Sequence, residues 1–165
     1  MRASMVLVLG SMALVPGDSR DDALKAELRK LQGTWVHVST ERDGVKRPEP
    51  RTLWVFEGNR AKVYFKTRPI NVDEKNWSFR PEPIYQLLTY HFKFDPSQTP
   101  KAVDQQTEYR GDKALTGTPT LAIYKLEGDT LTVCFAGYYD KGKRPANFTA
   151  AKGSDRRICV LKRER

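Results

Sequence analysis

Cysteine is scarce in this 165-residue chain, which has two, Cys134 and Cys159. Two cannot build a disulfide scaffold, although they suffice for one bridge in an exported protein. Histidine is as rare. His37 and His91 are the only two, and neither has a Cys, His, Asp or Glu neighbour at metal-ligand spacing, so no metal site is expected. No serine occupies a Gly-x-Ser-x-Gly elbow, and no glycine-rich loop opens a helix to cradle phosphate. Carboxylates are scattered through turns, with no two paired as acid and base. These absences predict a non-enzyme with no catalytic residues and no cofactor. No apolar run, that of the first 17 residues included, is long enough to cross a bilayer. Acidic residues are in deficit, 20 against 29 basic ones, for a net charge of +9. That balance suits a solvated basic surface or an anionic partner such as a carboxylate lipid or an acidic glycan. Nucleic acid is not expected, because the chain reads as exported.

Export is read from residues 1–17. Arg2 supplies a positive start, Ala3 to Val15 carries no charge, and Val15-Pro16-Gly17 offers a cut ahead of Asp18. This predicts a periplasmic or secreted protein whose mature part, 18–165, is a single domain. Ser19 to Gln32 reads as the one convincing helix. Ser19 and Asp22 can cap it, and Leu24, Leu28 and Leu31 share one face. Gly33 can take the left-handed conformation that ends it.

After Trp35 the apolar period changes from the helical value to two. Eight strands are expected, near 34–41, 52–57, 60–66, 87–95, 101–109, 119–127, 130–136 and 156–163. Connections at 41–51, 67–86, 110–118 and 137–155 are long, and those between them are short. In an up-and-down meander, alternate connections lie at the same end. The expected fold is therefore all-β: an eight-stranded antiparallel barrel with an elaborated mouth, a plain base and a short N-terminal helix closing that base. Summed by loop, the mouth is net positive and the base net negative, a polarity that would steer anions to the mouth. The 67–86 segment, with Trp77 and Phe79, could serve as a lid or as an ordered surface insertion.

Several motifs carry a resemblance. Besides Gly33-x-Trp35 they are Leu53-Trp54-Val55-Phe56-Glu57-Gly58-Asn59-Arg60, Phe94-Asp95-Pro96-Ser97-Gln98-Thr99-Pro100, Ile123 to Phe135, Arg144-Pro145-Ala146-Asn147-Phe148 and Val160-Leu161-Lys162-Arg163. In this order they resemble a lipocalin-like domain family of uncharacterised function, found mainly in planctomycete bacteria. The resemblance covers about residues 28–163. It implies a small β-barrel, often exported, and supplies no activity. By the lipocalin pattern, a basic residue near the end of the last strand packs across the Gly-x-Trp tryptophan. Arg163 is the matching residue, with Lys162 as the alternative.

The candidate ligand contacts follow from strand parity and loop charge. His37 shares parity with Trp35 and can be a hydrogen-bonded interior side chain, a ligand contact or, least simply, a metal ligand. Phe65, Tyr90, Phe92, Phe94, Tyr124 and Phe135 could line a cavity or fill the core of a small barrel. Lys141, Lys143 and Arg144 are the strongest charges on the 137–155 loop. Cys134 and Cys159 come opposite each other in a hairpin centred at 146–147, so they are expected as neighbours, either bonded or as two packed thiols. The favoured reading is a monomeric binder of a small apolar or anionic, lipid-like molecule at the barrel mouth. The alternative is a cell-envelope interaction or structural module with a filled barrel.

Overall fold

The computed structural model describes residues 19–66, 84–110, 113–115 and 117–165. Residues 1–17, read above as a leader, and Trp77 and Phe79 of the candidate lid lie outside them. A helix, α1 (Ser19–Leu31), precedes nine strands: β1 (Gly33–Arg42), β2 (Val45–Glu57), β3 (Arg60–Lys66), β4 (Ile84–Asp95), β5 (Lys101–Arg110), β6 (Lys113–Ala114), β7 (Thr120–Glu127), β8 (Thr130–Phe135) and β9 (Arg157–Arg163). Eight of them form one antiparallel ring in the order β4-β3-β2-β1-β9-β8-β7-β5, and pairing of β4 with β5 closes it. The two-residue β6 folds back onto the end of β5. The expected all-β, eight-stranded barrel with a short N-terminal helix is the observed fold.

The base is assembled around Trp35, which is fully buried. Its Nε1 donates to the Leu31 carbonyl at 2.8 Å, using one of the helix-terminal acceptors that have no partner within α1. Leu24, Leu28 and Leu31 lay the apolar stripe of α1 on the core. The Arg163 guanidinium sits 4.3 Å from the Trp35 ring centroid and donates to the carbonyls of Gln32 and Lys30. Gly33 makes this possible. Its φ is +103°, a backbone conformation that residues with a side chain rarely adopt. Gln32 adds a two-way amide bond to Gly58 in the β2–β3 turn.

Two expected loops are not where the sequence reading puts them. The expected 41–51 loop is instead a continuation of β1 and β2, joined at Asp43-Gly44, whose φ values are 54° and 74°. Two successive positive φ values make the tight turn that matches strand twist, and Asp-Gly is its favoured sequence. Pro48 and Pro50 look like loop residues, but a bulge absorbs them: His37 pairs with Thr52, whereas Ser39 pairs with Pro48. The 137–155 segment does not stand over the mouth. It folds down the outer wall, where Phe148 and Ala150 cover Ile123, Cys134 and Ile158.

That outer layer also settles the cysteines. Val133 pairs with Cys159 and Cys134 with Ile158, one residue away from the expected register. Because side chains alternate faces, a one-residue slip puts the two thiols on opposite sides of the wall. Cys159 belongs to the interior core and Cys134 to the outer layer. Both are free and buried. Burial pushes the Cys134 thiol up to about 11 and raises Cys159 as well. Native protein at pH 8 should therefore react with Ellman's reagent far more slowly than unfolded protein, and dithiothreitol should leave its Tm unchanged. Rapid labelling of two thiols in the native state would contradict the buried placement.

Candidate functional site

The inward faces of the strands form a column of aromatic rings along the barrel axis. At its deep end Phe94 meets Tyr124 edge-on, with centroids 5.3 Å apart. Phe92 stacks on Phe94 at 5.6 Å and tilts against Phe56 at the same spacing. Nearer the mouth, Trp54 stacks on Tyr90 at 5.4 Å and takes the edge of His37 at 6.2 Å. Such offset and edge-to-face contacts pair the positive ring edge with the negative ring face. The deep half of the column is filled by these rings with Leu31, Trp35, Leu131 and Leu161. It is a packed core, not a site.

The mouth half differs in chemistry. Phe65, the last inward residue of β3, is 36% exposed. Arg157 lies with its guanidinium 4.8 Å from the Phe135 ring centroid. His37 Nε2 is 3.1 Å from the Ser39 carbonyl oxygen, which can only accept, so Nε2 carries the proton. Thr40 Oγ1 lies at the same distance from it. Burial holds His37 below its ordinary value, against the opposing effects of the Glu49 carboxylate and the Ser39 carbonyl. Burial likewise pushes the Tyr90 phenol up, opposed by Arg157 and a hydrogen bond with Gln105. Two further polar atoms, Trp54 Nε1 and Gln105 Oε1, are buried with no hydrogen-bond partner among the described residues.

The sequence-derived candidates thus divide three ways. His37, Phe65, Tyr90 and Phe135 come together in the mouth half. Phe92 and Tyr124 belong to the aromatic column below, with Tyr124 at its deepest point beside Glu27. Lys141, Lys143 and Arg144 leave the mouth altogether, because their loop lies on the outer wall. Arg144 donates to the carbonyls of Val103 and Ala122 at 2.9 and 2.6 Å and pairs with Asp104 at 2.6 Å. It is a clasp that holds the loop to β5 and β7, with its charge already balanced, and not an open anion contact. Lys141 and Lys143 are exposed.

Trp54, Gln105, Glu49 and Arg157 were not among the candidates. Parity could have found three of them. Trp54 alternates with Phe56, Gln105 with Val103, and Arg157 with Cys159 and Leu161. Glu49 had no such signal, since it sits within the bulge. Among the described residues, no group of three His, Cys, Asp or Glu side chains could hold a metal, and no helix is long and apolar enough to cross a membrane. Comparison with family models, curated proteins and solved structures gave no match.

Proposed function

We propose that the protein is an exported, lipocalin-like binder that holds a small molecule in the mouth half of the barrel without chemically transforming it. The observation that carries this reading is that, of the three buried polar atoms without a hydrogen-bond partner among the described residues, Trp54 Nε1 and Gln105 Oε1 lie in the mouth half and only Tyr124 Oη lies at the deep end. A buried polar group left without a partner costs about 1–3 kcal/mol. One donor and one acceptor on the inward face are what a bound molecule with a polar group would satisfy. The rings of Trp54, Tyr90 and Phe135 suit an apolar body, and Arg157 suits an anionic end. The uncharged stretch Ala3 to Val15 supports export. Arg163 over Trp35 supports kinship with the lipocalin-like family.

The test is native mass spectrometry of protein from its own source, followed by the same measurement on Trp54→Phe. This variant keeps an aromatic ring and removes the N–H. Copurified small molecule should be present in the first case, and its retention should fall about tenfold in the second, the equivalent of 1.4 kcal/mol. If no small molecule copurifies, and Trp54→Phe does no more than raise Tm by deleting an unpartnered donor, the filled-barrel module is the better reading.

A further inference from the structure

A concavity lies outside the barrel, where the β1–β2 turn meets the two ends of the 137–155 loop. It is a cleft of about 460 Å³ lined by Asp43, Tyr138, Tyr139, Gly153 and Asp155, within the size range of small-molecule sites. Tyr138 and Tyr139 are 82% and 66% exposed. Their rings stand 5.5 Å apart at 85° and make an open aromatic corner. Large exposed rings side by side are unusual on a monomer surface unless something covers them.

The cleft floor is held rigidly. Asp43 Oδ1 accepts from Gly153 N–H at 2.8 Å, and Gly44 N–H donates to the Ala150 carbonyl at 2.6 Å. Asp155 pairs with Arg42 and accepts from Tyr138 N–H. Behind them Asp140 and Arg156 form a half-buried ion pair. Gly137 packs so closely that a Cβ there would lie 2.3 Å from the Ser154 carbonyl oxygen. Three non-glycine residues among those described have positive φ, Asp43, Lys141 and Asp155. Two of them line the cleft and the third follows Tyr138–Asp140.

We infer that this cleft is a binding site for a neutral oligosaccharide. The charges decide between ligand classes. The titratable side chains lining the cleft are carboxylates besides the two phenols, which disfavours an anion. Asp155 is already balanced by Arg42, and the loop also carries exposed Lys141, Lys143 and Lys152, which disfavours a cation. A neutral, hydroxyl-rich ring fits both conditions. Its C–H face can lie on an exposed tyrosine ring, and its hydroxyls can donate to the remaining lone pairs of Asp43 and Asp155. This site is separate from the barrel mouth and does not depend on the reading proposed for it.

The test uses the full chain, ¹⁵N-labelled, titrated with the tetrasaccharides of cellulose, chitin and starch. At least one should shift the amide signals of Tyr138, Tyr139 and Gly153 saturably at concentrations up to about 10 mM, the weak end of specific affinities. Tyr138→Ala/Tyr139→Ala should weaken that binding at least tenfold with Tm unchanged, because both rings are exposed. Lys143→Ala removes an exposed charge of the same loop that does not line the cleft, so binding of a neutral sugar should stay within about threefold of wild type. The inference is overturned if none of the three sugars shifts these signals. It is also overturned if the tyrosine variant binds as well as wild type, or if tetramethylammonium shifts the same signals more tightly and loses that effect in Asp43→Asn.

Discussion

Trp35→Ala should destabilise the protein by about 3–5 kcal/mol, the usual cost of deleting a buried aromatic side chain. The site has little freedom to collapse, because Trp35 is held from three directions. Leu31 takes its N–H, Arg163 covers its face, and β1 pairs it with Trp54 on one side and Arg163 on the other. Removing the indole therefore releases α1, the β1–β9 seam and the Arg163 guanidinium together. Urea unfolding monitored by circular dichroism measures the change. Arg163→Ala in the wild-type background should cost about 0.5–2 kcal/mol through the ring contact alone, and more through the lost bonds to Gln32 and Lys30. In the Trp35→Ala background that ring term should vanish, leaving a positive coupling in the double-mutant cycle. Equal effects of Arg163→Ala in both backgrounds would show that the guanidinium and the indole act independently.

Lys101→Ala should cost about 1–3 kcal/mol, the penalty of leaving a buried polar group short of its partner, although Lys101 is itself half-exposed. Its Nζ lies 2.6 Å from Glu27 Oε1, and the Glu27 side chain is only 5% exposed. Lys30, at 3.9 Å, is the other cation at this carboxylate. Tyr124 lies against the same group, and burial together with Glu27 pushes its phenol up. Without Lys101 the carboxylate would stay between a helix and the barrel base with little compensation. Breaking such a pair from one side is worse than removing it whole. Glu27→Leu/Lys101→Met should thus recover most of the stability lost in Lys101→Ala. Thermal unfolding of the three proteins side by side decides the matter. A Lys101→Ala variant within about 1 kcal/mol of wild type would mean that the pair acts as an ordinary surface bridge.

The fold was legible wherever one physical signal dominated. Alternating apolar residues marked β3, β5, β7 and β8 to within a residue or so, and the Leu24-Leu28-Leu31 stripe marked α1. The Gly33-Trp35-Arg163 arrangement at the base was likewise readable, from the resemblance. The errors arose where two signals competed. In 41–51 the Asp43-Gly44 turn signal stands beside Pro48 and Pro50, which favour a loop, and a bulge that accommodates proline leaves no mark of its own in sequence. The cysteine register failed by one residue, since a symmetric hairpin was assumed across a connection that long. β9 did carry the corrective signal. Ile158 and Val160 are apolar on the face opposite Cys159 and Leu161, which means that both faces of that strand are covered. Arg144 was misplaced for a related reason, because loop charge says nothing about which carbonyls a guanidinium will meet. The cleft of Asp43, Tyr138 and Asp155 could not be read at all, since it joins turns more than 90 residues apart in the chain.

The layer over Ile123, Cys134 and Ile158 has a mechanical consequence. On the β7–β8–β9 side the wall is stiffened from within and without: apolar side chains pack on both faces, and Arg144 ties the cover down. Among the described residues, the outer face of β3 and β4 carries Lys62, His91 and Lys93, with links that are ion pairs and hydrogen bonds such as Lys62–Glu57 and Asn59–His91. Opening free energy follows buried apolar contact, so fluctuations concentrate where such contact is thinnest. The barrel then behaves as a rigid spine carrying a compliant panel. Amide hydrogen exchange should accordingly be slowest on β7, β8 and β9, where the doubly packed wall holds the Cys134 thiol.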